Sequence, residues 1–237
     1  MQREESPTMT TGLERIAAKA RCEPKLRFTS LAHQITKERV WENLCQIPTD
    51  SAPGVDGQTV PEAKESFEVW IEAMLQSVHR QGYPAPNIRR VYIPKPGKQE
   101  KRPLGVPCVA DRALQRSAAQ VLSAIYEQDF LSCSFGGRPK RGAHQGLATL
   151  HELIAGRKVE WVLEADLKNF FGSISHEWML RFVEHRVGPL HCVLADTPSP
   201  RGSDVTLTGM GTLSEGFERF VAAPLLPRRL RAMARTV

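Results

Sequence analysis

The chain has 237 residues, which is enough for one large domain or two small ones. Its composition, 41% hydrophobic and 24% charged, is typical of a globular protein, and no apolar run reaches the ~20 residues that cross a membrane. The net charge of +6 favours a polyanionic partner. Five scattered cysteines without a CxxC pair argue against a disulfide framework or a zinc knuckle. The N-terminus lacks the apolar stretch of a secretory signal, so we expect a cytoplasmic protein.

The first elements are predicted from capping residues and apolar spacing. Residues 1–28 mix charged residues with Thr and Pro, and we predict a flexible arm there. Thr36 before a Lys-Glu-Arg segment predicts a helix start, and Val40 begins its apolar stripe. The Pro- and Gly-rich segment 51–57 ends this helix, because such residues favour turns. A second helix is predicted over residues 61–79.

A basic hairpin is predicted next. Residues 89–94 form a β-branched and aromatic run that ends in a Pro/Gly-rich turn, and residues 101–106 return as a second extended run. Only Glu100 opposes the positive charges of this segment. Such a hairpin is either a solvated edge or a clamp for phosphates. Its cations are Arg89, Arg90, Lys95, Lys98, Lys101 and Arg102.

A second basic segment follows a predicted helix over residues 111–130, for which Asp111 is the predicted N-cap. The loop 134–142 contains Arg138, Lys140 and Arg141, together with glycines that let a backbone approach a ligand closely. Two basic segments in one chain favour anion binding over a merely solvated surface. A further helix is predicted over residues 143–154.

A single carboxylate ends the next apolar run. Residues 160–166 are predicted to be extended and to finish on Asp166. A charge at the end of a buried strand is costly unless it is paired, so Asp166 is either a capping or salt-bridged residue or a Mg²⁺ ligand. A helix is predicted from about Ser175. After Val187 the sequence contains no lysine and shows no clear apolar period.

Four blocks of this sequence resemble the group II intron reverse transcriptases, also called maturases. VYIPKPGKQEKRPLGVP is similar to their first fingers motif, and SFGGRPKRGAH to their second. VLEADLKNFFGSISHEWM is similar to the third motif, which carries the first catalytic Asp, and APGVDGQT to their N-terminal extension. The blocks occur in the order of the family, between about Ser30 and Val187.

The resemblance implies an α+β fold: right-hand polymerase fingers with an incomplete palm, made of a partial antiparallel sheet plus helices. Residues 29–158 would form the N-terminal extension and the fingers. Residues 159–187 would form the first strand and helix of the palm, and residues 188–237 a divergent tail, disordered or frameshifted. An unfinished sheet exposes an edge and an apolar face, so we expect poor solubility or a partner chain that completes the palm.

The resemblance also implies roles for single residues. Asp166 matches the catalytic metal ligand of the family, and the carbonyl of Leu167 would be a further Mg²⁺ ligand. Phe171 matches the aromatic residue that excludes the ribose 2′-hydroxyl, whereas from the local pattern alone it would be a core aromatic. Lys95 and Arg102 match positions that hold the triphosphate of a dNTP. The residues expected to contact an RNA template, a DNA primer or intron RNA are Arg89, Arg90, Lys98, Lys101, Arg138, Lys140 and Arg141.

The chain departs from the family in ways that bear on activity. It contains no Tyr-Ala-Asp-Asp sequence, which supplies further metal ligands in the family, and Gly172 stands where the family usually has Asp. The likeness ends near Gly188. We therefore expect the family reaction, Mg²⁺-dependent template-directed nucleotidyl transfer, to be absent from this chain on its own. The alternatives are a non-catalytic RNA-binding module and a decayed gene product.

Overall fold

The structure, a computed structural model, describes residues 10–80, 83–94, 97, 99, 101–157, 159–162, 164 and 175–188. These residues form helices and one two-stranded antiparallel sheet, which agrees with the predicted α+β class. Within this described part, no helix is long and apolar enough to span a membrane. In chain order the elements are α1 (Thr10–Cys22), a 3₁₀ turn (Ala32–Gln34), α2 (Lys37–Cys45), α3 (Val60–Glu65), α4 (Phe67–His79), β1 (Arg89–Pro94), β2 (Lys101–Val106), α5 (Val109–Tyr126), α6 (Ala143–Gly156) and α7 (His176–Arg186).

Helix α2 begins where the sequence predicts. The side chain of Thr36 accepts a hydrogen bond from the backbone N–H of Arg39 at 3.3 Å, which satisfies one of the free donors of the first turn. Val40 and Leu44 are fully buried and face α5. The polar contact between α2 and α5 is also satisfied, because the buried amide of Asn43 donates to Ser117 Oγ at 3.1 Å.

The predicted helix over residues 61–79 is two helices with a break at Ser66. Thr59 and Glu62 form a capping box, which starts α3 one residue earlier than predicted. Ser66 Oγ and its backbone N–H both donate to the carbonyl of Glu62, at 2.7 and 2.9 Å. The indole N–H of Trp70 donates to the next carbonyl, that of Ala63, at 3.0 Å, so side chains bind the backbone at the break. Helix α4 restarts at Phe67 and ends at His79, the predicted end.

The central helix of the core is α5. Its predicted apolar stripe is confirmed, because Leu114, Val121 and Ile125 are each at most 3% exposed. The predicted role of Asp111 is wrong: the N-cap position belongs to Cys108, and Asp111 lies inside the first turn. A side chain at this position points back into the fold, where Asp111 is 3% exposed.

The prediction of a flexible arm is corrected for the described part of residues 1–28. Helix α1 occupies Thr10–Cys22, Ala20 is 1% exposed, and Leu13 and Ile16 pack against the core. Leu13 and Ile16 are the large apolar residues of α1, so the apolar pattern is weak in the sequence, and the burial comes from packing against α5. After α1, Phe28 forms a parallel bridge with Val187, and its N–H donates to the carbonyl of Arg186 at 2.8 Å.

The start of the predicted palm is only partly described. Residues 159–162 and 164 have no regular structure, and Trp161 is 90% exposed, so they do not form the predicted buried strand. A strand needs a hydrogen-bonded neighbour, and among the described residues the strands β1 and β2 pair only with each other. Helix α7 follows as predicted, with Ser175 accepting from the N–H of Trp178.

Candidate nucleic-acid interface

The predicted basic hairpin is confirmed as β1 and β2 in antiparallel register. Successive side chains of a strand alternate between two faces, so the register defines two sets of residues. The first set, here called face A, pairs Arg89, Val91 and Ile93 with Val106, Leu104 and Arg102. The second set, here called face B, pairs Arg90, Tyr92 and Pro94 with Gly105, Pro103 and Lys101.

The hairpin is anchored where β2 leads into α5. Gly54 packs so closely on Cys108 that an added Cβ would lie 2.6 Å from the Cα and N atoms of Cys108. Arg112 of α5 donates to the carbonyl of Ala52 at 2.7 Å. The segment around Gly54 therefore fixes the first turn of α5, which directly follows the end of β2.

The cations of the hairpin differ in their surroundings. Arg90 and Lys101 are exposed, whereas Arg89 is half-buried, and its Nε has no hydrogen-bond partner among the described residues. Arg102 lies in β2 opposite Ile93. Lys95 and Lys98 lie outside the described residues.

Face B also carries an aromatic residue to which the sequence analysis gave no role. Tyr92 is 57% exposed and is paired with Pro103. Arg90 and Lys101 lie two register positions from the Tyr92–Pro103 pair, on either side, about 7 Å along the strands. The alternation of cation and ring in Arg-Arg-Val-Tyr-Ile-Pro was the signal available in the sequence.

The second basic segment is organised by Arg138. Its guanidinium is 8% exposed, contacts Glu127 Oε2 at 3.0 Å, and donates to the carbonyls of Leu131 and Ser134 at 3.0 Å each. It also lies over the ring of Phe130, 4.9 Å from the centroid. In this arrangement the donors of Arg138 support the loop, which differs from the predicted contact with a phosphate.

Lys140 and Arg141 are the exposed cations of the same loop. Lys140 has a φ of 59°, a left-handed conformation that is uncommon for a residue with a side chain. Arg141 Nη1 donates to the carbonyl of Ser132 at 2.5 Å, and its guanidinium lies 5.5 Å from the centroid of Phe135. Helix α6 starts directly afterwards with no acidic residue in its first turn, so positive charge and helix dipole act in the same direction there.

A buried acid lies beside the anchored end of the hairpin. Tyr83 Oη donates to Asp111 Oδ1 at 2.5 Å. Burial raises the pKa of Asp111 to about 6, and the nearby charge of Asp56 acts in the same direction against the hydrogen bond from Tyr83. Burial also raises the pKa of Tyr83, so the phenol keeps its proton and remains the donor.

The predicted catalytic residues lie outside the described part of the chain. These residues are Asp166, Leu167 and Phe171. The side chain of Arg102 also lies outside the described part. Among the described residues, no group of three or more His, Cys, Asp or Glu side chains is arranged to hold a metal ion. The described residues thus supply no ligand set for the predicted Mg²⁺.

The class of protein follows from a family comparison. Residues 93–203 match the family "Reverse transcriptase (RNA-dependent DNA polymerase)", so this segment of the chain belongs to that family. The match begins inside β1, includes β2, the basic loop and Asp166, and ends at residue 203, beyond Gly188, where we placed the end of the likeness.

The particular relatives include group II intron-encoded proteins. The chain is 33% identical over 183 residues to Protein YkfC of Escherichia coli (strain K12), covering 73% of this chain and 47% of that protein. It is 29% identical over 185 residues to Group II intron-encoded protein LtrA of Lactococcus lactis subsp. cremoris, covering 76% of this chain and 30% of that protein. The predicted family is confirmed. The chain spans less than half the length of either relative.

Proposed function

We propose that the chain acts as the nucleic-acid-binding front part of a group II intron-type RNA-directed DNA polymerase. The observation that carries the proposal is that the family match begins within the basic hairpin. The exposed cations Arg90, Lys101, Lys140 and Arg141 provide positive charge for the phosphates of an RNA template and a DNA primer. Arg138 holds the loop that presents Lys140 and Arg141.

The proposed reaction of the family places further residues at the nucleotide. Asp166 and the carbonyl of Leu167 would hold Mg²⁺, which when bound stabilises charge on the attacking and leaving oxygens. Lys95 and Arg102 would neutralise the triphosphate of the incoming dNTP, because cationic donors bind phosphate oxygens strongly. Phe171 would exclude a ribose 2′-hydroxyl by its bulk.

We propose that this chain binds nucleic acid but does not polymerise on its own. Two-metal phosphoryl transfer needs more carboxylates than Asp166 supplies, and the sequence contains no Tyr-Ala-Asp-Asp. A partner chain that supplies the rest of the palm would restore the missing ligands.

Binding is tested by filter binding of single-stranded RNA at increasing salt. We expect the logarithm of the affinity to fall linearly with the logarithm of the salt concentration, with a slope of about −0.7 per neutralised phosphate. Lys101→Gln and Arg141→Gln should each reduce the steepness of this slope, whereas Lys19→Gln, which removes an exposed cation of α1, should leave it unchanged. Affinity that does not fall as salt rises would contradict the proposal.

The catalytic part is tested by primer extension with Mg²⁺, in which the unmodified chain is compared with Asp166→Ala. We expect no extension by either protein. Robust extension by the unmodified chain that is lost in Asp166→Ala would show that the site is complete in this chain. That result would overturn the proposal that the chain is inactive on its own and would confirm the role of Asp166.

A further inference from the structure

The aromatic ring on face B lies in an unusual setting. Tyr92 is more than half exposed at 57%, although a strand with one buried face usually turns its aromatic residue inward. Pro103 is directly opposite, and Pro94 follows two residues later on the same face. Both prolines are exposed, so two short, rigid side chains lie beside the ring on face B.

The charged residues within the two strands of the hairpin have one sign. Neither strand of the hairpin contains an Asp or a Glu. Arg90 contributes positive charge to face B whether or not its donors are engaged within the chain, and Lys101 contributes the second charge on the other side of the ring. A second copy of this face would bring like charges together, which is unfavourable. The occupant that fits is therefore a polyanion with flat apolar groups.

Single-stranded nucleic acid has both properties. Its phosphates attract cations, and its unpaired bases offer a π-face that stacks on an aromatic side chain. In a duplex the bases are already stacked on each other, so a duplex offers phosphates to face B but no free base to the ring. Tyr92 thus distinguishes the two forms of nucleic acid, which the cations alone do not.

We propose that face B is a single-strand binding surface on which Tyr92 stacks against one unpaired base, flanked by the charges of Arg90 and Lys101. The inference rests on the proposed function, in which the hairpin binds nucleic acid. It adds to that function a contact with a base, which the cations of the hairpin do not supply.

The test compares the affinity of the full chain for a single strand and for a duplex of equal length, measured by fluorescence anisotropy. Tyr92→Leu removes the ring, and Tyr92→Thr does the same with a β-branched residue that suits a strand. We expect either change to weaken single-strand binding about tenfold and to leave duplex binding nearly unchanged. Tyr92→Phe and Tyr92→Trp keep a ring and should retain tight single-strand binding.

The matched control is Val91→Ala, which removes a 38% exposed side chain from face A of the same strand. It should leave the preference for the single strand unaltered. If the unmodified chain binds neither form in a salt-dependent way, the proposed function itself fails. If it binds both, but Tyr92→Leu and Tyr92→Thr bind the single strand as tightly as the unmodified chain, only the stacking inference is overturned. An equal loss for single strand and duplex would also overturn it.

Discussion

At the scale of single residues, the buried carboxyl of Asp111 gives a pH dependence that its sequence position does not suggest. Asp at the start of a helical pattern predicts a cap, which would hold the carboxylate in its charged form. In the fold, α5 starts at Val109, so Asp111 turns inward and meets the hydroxyl of Tyr83. Burial then disfavours the charged form and raises the pKa of Asp111 to about 6.

We predict that Asp111 destabilises the fold as pH rises. Because the pKa of Asp111 is higher in the folded than in the unfolded chain, its favourable contribution is complete below about pH 4 and is lost as pH rises through about 6. The loss is about 3 kcal/mol for a shift of this size. The amide of Asp111→Asn does not titrate. As pH rises from about 4 to about 6, the free energy of unfolding of the variant should therefore increase relative to that of the unmodified chain.

Urea unfolding at about pH 4 and about pH 7 measures this difference directly. Other titrating groups affect both proteins equally and cancel in the comparison. Asp50→Asn makes the same change at an exposed carboxyl on the loop after α2 and is the matched control. A difference between Asp111→Asn and the unmodified chain that does not change with pH would contradict the prediction.

Arg138 shows why the site residues were only partly predictable. The sequence shows where the cations of the loop are. It does not show whether an arginine binds a phosphate or the carbonyls of its own chain. The role of Arg138 depends on Glu127, which lies eleven positions earlier at the end of α5. Only the folded chain brings the two together. Lys140 and Arg141 are exposed, so the predicted basic loop is present, and Arg138 stabilises its conformation.

At the scale of elements, sequence periodicity predicted what depends on local pattern. Helices α2, α5 and α6, the end of α4 and the pairing of β1 with β2 follow from apolar spacing and turn residues. The break at Ser66 was not predicted, because it depends on a side chain competing with the backbone. Helix α1 was missed, since it has few large apolar residues and these are buried by contact with distant parts of the chain such as α5.

Helix α6 leads to a prediction about association. Leu147, Leu150 and Ile154 recur at helical spacing on one face, and their exposures are 63%, 45% and 45%. Exposed apolar stripes drive self-association or aggregation. We expect the double change Leu147→Gln and Leu150→Gln to reduce association, measured by analytical ultracentrifugation, while the free energy of unfolding changes by less than about 1 kcal/mol.

The control for this experiment is Val69→Gln, which changes an apolar residue of α4 that is 82% exposed and isolated. It should affect neither association nor stability. If the double variant of α6 instead unfolds more easily by several kcal/mol, the stripe is covered within the folded chain, and the prediction of association through it is wrong.

At the scale of the whole molecule, Arg186 joins the two ends of the described chain. Its guanidinium is 4% exposed and forms two hydrogen bonds with the carboxylate of Asp129, at 2.8 and 3.1 Å. It also donates to the carbonyls of Ala20, Glu23 and Leu26, at 3.3, 3.2 and 2.7 Å. One side chain of α7 thus donates hydrogen bonds to carbonyls at and after the end of α1 and to a carboxylate just after α5. The sequence offers no sign of this, because the partners are up to 166 positions apart.

We therefore predict that Arg186→Leu lowers the free energy of unfolding by about 3 kcal/mol or more, because it removes the donor to Asp129 and to the carbonyls of Ala20, Glu23 and Leu26. Arg181→Leu, five residues earlier on the same helix, removes an exposed pair with Glu177 and a contact with the exposed ring of Trp178, and it should cost less than about 1 kcal/mol. Urea unfolding of the two variants beside the unmodified chain gives both values. The comparison also decides the state of residues 10–28. If they were the flexible arm that their composition predicts, three of the acceptors of Arg186 would be mobile, and the two variants would differ little. A large difference requires α1 and the segment after it to be held in place by α7 in solution.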